Sequence, residues 1–584
     1  MPWLQISSMK RKFSIQTILM MVFLFLSSCG SVPETTAPPN KPPTKRIAAQ
    51  PRTDNQYYHY TEAQLHARSG KLDQAILHMK QAIDQDPTSS FLKIELARLY
   101  LHQKNSSQAL ILLEETFKTS PADVQALILY GMIKQDQKDL GAAKKAFQEV
   151  LAADPKQERV YLILGNIYRD ENDDVAAIEV YQGLIDNFPQ SYAGHFYLGK
   201  LYAQKEEDEK AISALMQSLE LEPDLEESRF ELIILYQKAG QSDRVIQTYR
   251  EILTRNPDNA RAAMGLGLFY HQQGRTDEAQ EIFMRLGEQS VSETAIIRKV
   301  VQLYIEPKDY ESATVVIEGM LEAVPASSDL HYLAGIAFDG LDNKHIAISH
   351  LLQVSHETRF YENAIVHTAL LYQETDQLQK GIRFLEDIIR RDPGKSEFFL
   401  YLGSFYEEEE RYPDAITALQ KGLTLDPENT KLLFRLGVVY DKSNRKTDCI
   451  DQMKIVIRLD PENASALNYL GYTYADLGQN LDEAEALIKK ALQYKPDDGY
   501  ITDSLGWVYF KTGRYDESLE VLKRAVSLVP DDPIILEHLG DVYLKVQEKS
   551  KALLYYRKAL KQKDTKDDTS ALQKKIHALT GEGS

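Results

Sequence analysis

At 584 residues, with 43% hydrophobic and 26% charged residues, the chain has the composition of a folded protein and is too long for one hydrophobic core. Its formal charge of -18 argues against a nucleic-acid partner, which calls for a basic patch with interleaved aromatics. Two cysteines, Cys29 and Cys449, cannot build a disulfide framework, so stability must come from packing.

The first element is a targeting segment. Lys10, Arg11 and Lys12 precede an apolar run from Phe13 to Leu26, short of the roughly 20 residues a membrane span needs, which predicts a signal peptide over residues 1–28. Translation from either Met1 or Met9 leaves the pattern intact. Leu26-Ser27-Ser28-Cys29 resembles the lipobox of bacterial lipoproteins, which implies that Cys29 becomes an acylated first residue holding the chain to a membrane. An ordinary signal peptide with a chance cysteine, or a single-span anchor, is the alternative. Gly30, where inner-membrane members of that family often carry Asp, implies an outer-membrane lipoprotein facing the periplasm. Pro33, Pro38, Pro39, Pro42, Pro43 and Pro51 make residues 29–55 a lipidated cysteine followed by a semi-extended tether.

From Gln56 a 34-residue period governs the rest of the chain. One extra residue in the Gly478-Gln479-Asn480 turn shifts the last two of fifteen repeats, which begin at Gly499 and Pro533. Position eight is small in thirteen repeats, with Ile233 and Val301 as exceptions, and position eleven is Tyr in twelve. Position twenty is Ala in eleven, and position thirty-two is Pro in twelve. Small residues let two helices approach and proline ends a helix, so each repeat reads helix, turn, helix, stop. Cys449 occupies position twenty and reads as a buried packing residue. Leu198-Gly199, Tyr202, Ala211, Leu215 and Pro223 show one copy of a pattern that resembles the tetratricopeptide repeat across residues 56–566. The resemblance implies an all-α fold, a right-handed superhelical α-solenoid of about fifteen repeats. Two expected prolines are missing between Val291 and Arg359, a stretch that is either a bend or sequence drift. Leu572, Ile576 and Leu579 stand at helical spacing within 567–584, where a C-terminal capping helix is expected.

Motifs for catalysis or nucleotide binding are missing from the sequence, and the thirteen histidines show no repeated ligand spacing. His331 and His345 read as satisfied packing or surface residues, and the run Glu407-Glu408-Glu409-Glu410 as a solvated helix end. The expectation is a non-enzyme with no catalytic residue, metal or cofactor. In the resembled family the first helix of each repeat lines a groove through positions two, five, nine and twelve. In the last repeats these include Asn468, Tyr472, Tyr500, Asp503, Trp507 and Phe510, rings that the repeat's own packing does not demand. They form a candidate partner-binding site, unless Trp507 and Phe510 simply pack on the cap or a neighbouring helix. Arg159, Arg169, Lys200, Arg261 and Arg298 form a candidate basic lining for an acidic peptide or anionic glycan. The carboxylate clamp of chaperone-binding repeats is not reproduced at these positions. The order of lipobox, tether and array, with Leu467-Asn468-Tyr469-Leu470-Gly471-Tyr472 and Asp503-Ser504-Leu505-Gly506-Trp507, is similar to bacterial repeat lipoproteins that bind and activate periplasmic carboxyl-terminal processing proteases. That similarity implies a membrane-tethered adaptor whose partners are a protease and its cell-envelope substrates; the alternative is a scaffold for polysaccharide or cell-wall synthesis and export.

Overall fold

The computed structural model describes residues 55–563 and 569–580. The expected signal peptide, Cys29 and nearly all of the tether lie outside the described residues. Thirty-one α-helices, from α1 (Gln56–Arg68) to α31 (Ser570–Thr580), follow one another, and no strand occurs among the described residues. None of the described helices is long and apolar enough to cross a membrane. Odd-numbered helices are the first and even-numbered helices the second of each of fifteen pairs, and α31 follows the last pair. Two compact bodies divide the described chain at Phe188, four repeats in the first and eleven in the second.

Local chemistry sets the helix boundaries. Asp123, Asn259, Asn429 and Asp532 each cap a first helix by accepting a backbone N–H two or three residues on. At the other end of every first helix, position fifteen sits in the left-handed region, from Gly70 (φ 74) to Gln547 (φ 63). Only five of those fifteen residues are glycine; Lys138, Glu206, Asp376 and Glu410 are among the rest. The geometry is imposed by a reversal in which the following N–H reaches back to the position-eleven carbonyl, as Arg411 does to Tyr406 at 2.8 Å and Arg445 to Tyr440 at 2.8 Å.

The small residue at position eight and a large one at position twenty-four form a matched pair across the two helices of a repeat. A Cβ on Gly165 would stand 2.5 Å from the Tyr181 ring, and one on Gly267 would stand 2.4 Å from Phe283. Where position eight is already alanine, at Ala63, Ala97 and Ala369, position twenty-four is the slimmer Met79, Leu113 or Leu385. Ile233 breaks this rule with Tyr249 opposite, and the relief comes from the next repeat: the Tyr249 hydroxyl lies where Gly265 offers no side chain, 2.5 Å from an ideal Cβ. Position twenty is buried throughout, as at Ala75, Ala211, Ala415 and Cys449.

First helices of successive repeats touch one another in each body, α3 (Ser90–His102) with α5 (Val124–Asp136) and α21 (Ser396–Glu408) with α23 (Thr430–Lys442). They therefore form the tighter, inner side. The stretch with missing prolines departs from this plan inside the second body. Without a proline at Val291, α14 (Thr276–Ser290) runs one residue longer than its equivalents. The first helix that follows is only α15 (Thr294–Val300), continued by a π-helical turn at Val301–Ile305. Here two second helices meet directly, α14 and α16 (Tyr310–Ala323), and glycines permit it. An added Cβ on Gly287 would sit 2.4 Å from the Met320 carbonyl oxygen, and one on Gly319 2.7 Å from Phe283. The second missing proline, at Arg359, has the opposite effect: α18 (Lys344–Leu351) stops early and residues 352–360 run irregularly.

Candidate functional site

Two neighbouring first helices, α25 (Ala464–Leu477) and α27 (Gly499–Lys511), carry the C-terminal candidate residues, and α29 (Pro533–Lys545) packs beside them. Their starts are fixed by Asn463, Asp498 and Asp532, which cap them through side-chain oxygens. Trp507 is stacked on both faces. The Phe510 ring lies 4.8 Å away at 7° and the His538 imidazole 4.1 Å away at 15°. His538 is buried, and its Nδ1 stands 3.0 Å from each Asp503 oxygen. Burial opposes a charge on that imidazole, yet Asp503, with Asp541 and Glu537 nearby, outweighs it and raises the His538 pKa. His538 and Asp503 thus form a buried hydrogen-bonded pair linking α27 to α29.

Tyr472 is half-buried on α25. Burial raises its pKa, and the negative charges of Asp476, Asp503, Asp441 and Glu537, one from each of four successive first helices, raise it further. Two polar atoms in this wall are fully buried without a hydrogen-bond partner, the Trp507 indole Nε1 and the Asn468 Oδ1. Tyr500 stands apart at the start of α27, exposed near Asp498 and Asp532. The structure therefore groups Asp503, Trp507 and Phe510, with Tyr472 nearby on the adjacent helix. Trp507 and Phe510 are partly buried, packed against the neighbouring helix α29 and the core while keeping part of each ring exposed.

Sequence reasoning missed His538, Glu537, Asp541 and Lys575. The Lys575 Nζ of α31 donates to Glu537 at 2.8 Å and to Asp541 at 2.7 Å, which are positions five and nine of the last repeat. Burial works against that ammonium, but the two carboxylates prevail and raise its pKa. Leu572 of the same helix is buried, with Ile576 and Leu579 packed on the final repeat. A recurring spacing of twenty-eight residues was the overlooked signal on the inner side. Position twelve accepts from position six of the next repeat in Asp339 with His367 (2.8 Å), Glu407 with Arg435 (3.2 Å) and Asp441 with Tyr469 (3.0 Å). Glu407 is accordingly buried and also paired with Lys442 at 2.9 Å, contrary to its reading as part of a solvated helix end.

The candidate basic residues fall in both bodies. Arg159 is exposed and Arg169 lies 3.2 Å from Asp170 in the first. In the second, Lys200 pairs with Glu231 at 3.0 Å, the Arg261 guanidinium covers the Phe230 ring at 3.8 Å, and Arg298 is exposed. Two of the five are thus committed to local partners within the second body.

Among the described residues no group of three or more His, Cys, Asp or Glu side chains is arranged to hold a metal ion. Burial, with Asp441 nearby, pushes the Cys449 thiol up to about 12, so it is held as an unreactive thiol. His331 is not solitary: its Nδ1 lies 3.0 Å from the Nδ1 of His350, and its Nε2 lies 2.9 Å from the Pro325 carbonyl. A carbonyl only accepts, so the His331 proton sits on Nε2 and its Nδ1 accepts from His350. His345 is exposed.

An inner side of packed first helices, presenting stacked rings and carboxylates, defines a surface for holding other proteins. Models described as tetratricopeptide repeat match residues 90–301, and 368–430 with 434–499, and one described as TPR repeat matches residues 506–547. The chain is a tetratricopeptide-repeat protein. No curated protein matches it. Among solved structures it is similar to Naa15/Naa10 bound to HypK-THB, at 12% identity over 90% of this chain and 96% of that one, TM-score 0.39. Others are a tetratricopeptide repeat protein from Parabacteroides merdae (14%, 43% and 98%, 0.37) and yeast Tom70 (14%, 73% and 96%, 0.35).

Proposed function

We propose that the chain is a membrane-anchored interaction scaffold, held by an acylated Cys29 on the periplasmic side of the outer membrane. In this reading it is an adaptor that recruits and activates a processing protease toward cell-envelope substrates. Tethering enzyme and substrate to one array raises their effective concentration without any chemistry of the scaffold's own. The observation that carries the reading is the inner face of α25, α27 and α29, where the half-exposed rings of Tyr472, Trp507 and Phe510 stand beside the exposed Asp476. Half-exposed rings beside charged side chains are where partner contacts concentrate. The scaffold for polysaccharide export rests on the basic residues, of which Lys200 and Arg261 already have partners, and is the less supported reading.

Trp507→Phe is the discriminating variant, because it keeps a stacked ring while removing the indole N–H and one of the two fused rings. It is expected to fold with at most a modest loss of stability, about 1–2 kcal/mol, because the space left by the lost ring is partly offset by removal of an unsatisfied buried donor. It should also recover at least tenfold less processing protease in a pull-down from envelope extract. Undiminished recovery by the variant would refute the assigned surface, and glycan-synthesis proteins in place of a protease would refute the adaptor role. Labelling with palmitate that survives Cys29→Ala would remove the anchor.

A further inference from the structure

We propose that the first repeat binds one divalent transition-metal ion of the class that prefers imidazole, such as copper(II), nickel(II) or zinc(II), through His59 and His66 of α1 and His78 of α2 (Leu72–Gln85). The Nδ1 atoms of His59 and His78 stand 3.2 Å apart. Two nitrogens bonded to one ion at about 2.0–2.1 Å lie roughly 2.8–3.4 Å from each other when the angle between the bonds is square to tetrahedral, so this pair already has the separation of shared ligands. Each neutral ring offers its Nδ1 lone pair when the proton sits on Nε2.

The same pair occurs a second time, and the contrast shows what is particular to the first. His331 and His350 occupy the same repeat positions, four and twenty-three, with Nδ1 atoms 3.0 Å apart. There position eleven is Phe338, stacked on His350 with ring centres 5.4 Å apart, and position seven is Ala334, so the pair is closed in by apolar groups. In the first repeat position eleven is His66, stacked on His78 at the same 5.4 Å, and position seven is Glu62. Twelve of the fifteen repeats carry tyrosine at position eleven, so packing does not call for an imidazole there. Glu62 lies one turn from both His59 and His66, with its carboxylate 4.0 Å from the His66 Nε2, so a dication arrives beside a negative charge. His66, His78 and Glu62 are partly exposed, which leaves the cluster open to solvent. Among the described residues no three ligands are preset around an ion. His66 completes this site by turning from its stacked place on His78, and water takes the remaining position.

The test titrates copper(II) into the full-length chain without a histidine tag, in a Cys29→Ala background so that its thiol does not compete. Competition with a weak chelator gives the affinity, and electron paramagnetic resonance counts the coordinated nitrogens. One ion per chain is expected to bind at least tenfold tighter than any further one. His78→Gln should weaken it at least tenfold and lower the nitrogen count. His66→Phe, which rebuilds the covering native to His350, should weaken it threefold or more while melting of the metal-free protein stays unchanged. His350→Asn should leave binding as it was. Undiminished binding in either first-repeat variant overturns the site, as does a loss in His350→Asn equal to that in His78→Gln. Should His78→Gln fail to fold, His66→Phe decides alone.

Discussion

Gly267→Ala inverts an ordinary rule of helix chemistry. In a helix interior that change normally adds about 0.5–1 kcal/mol of stability, because alanine loses less backbone freedom on folding. Gly267 lies in α13 (Ala260–Gln272), and its added Cβ would stand 2.4 Å from Phe283 Cε1 and 2.8 Å from Cζ, against a ring that is 2% exposed and has nowhere to turn. Overpacking of this kind costs about 1–3 kcal/mol, so the net expectation is a loss of roughly 0.5–2 kcal/mol. Phe283→Leu alone should lose about 1–2 kcal/mol through the space it leaves. Together the two changes recreate the alanine–leucine combination native to Ala97 with Leu113 and Ala369 with Leu385, and the double variant should be more stable than additivity predicts by about 1 kcal/mol. Urea midpoints, with hydrogen exchange of α13 and α14 amides as the local readout, complete the cycle. Stabilisation by Gly267→Ala, or strict additivity of the pair, would refute the reasoning.

Two further expectations concern backbone and pH. Glu410→Gly should raise stability by about 1 kcal/mol, since Glu410 holds φ 57 where glycine is unstrained; an unchanged or lower urea midpoint would count against it. The His350 pKa is lowered, first by burial and then by His331, so the folded state resists protonation there. Stability is then complete above the ordinary value of 6.5 and declines as pH falls through 6.5 toward the lower native value. His350→Asn, which retains an N–H for His331 but does not titrate, should flatten the fall in melting temperature between pH 7 and pH 5; an unchanged slope would assign the acid sensitivity elsewhere.

The repeat was legible because its constraints are local and periodic: proline at thirty-two, small residue at eight, aromatic at eleven. The turn residue at position fifteen was not, because Lys138, Glu206 and Glu410 give no hint of a left-handed conformation that the hydrogen-bonded reversal imposes on them. Val291 and Arg359 were recognisable as departures, but their opposite outcomes depend on what each neighbour offers, including the two glycines that admit α14 against α16. At the candidate site the positions of Trp507 and Asp503 could be read from the groove rule. Their partner His538 sits at position six of the following repeat, outside the positions that rule inspects, and Lys575 comes from beyond the array.

The seam between α14 and α16 bears on how the second body comes apart. Arrays of this type lose structure from their ends, one neighbour interface at a time. A fraying front arriving from the C-terminus would meet Gly287 pressed on the Met320 carbonyl and Gly319 pressed on Phe283, contacts that bind the seventh repeat to the eighth through both of their second helices. Separating the seventh repeat from the eighth therefore uncovers a seam between two second helices as well as the ordinary contact between successive repeats.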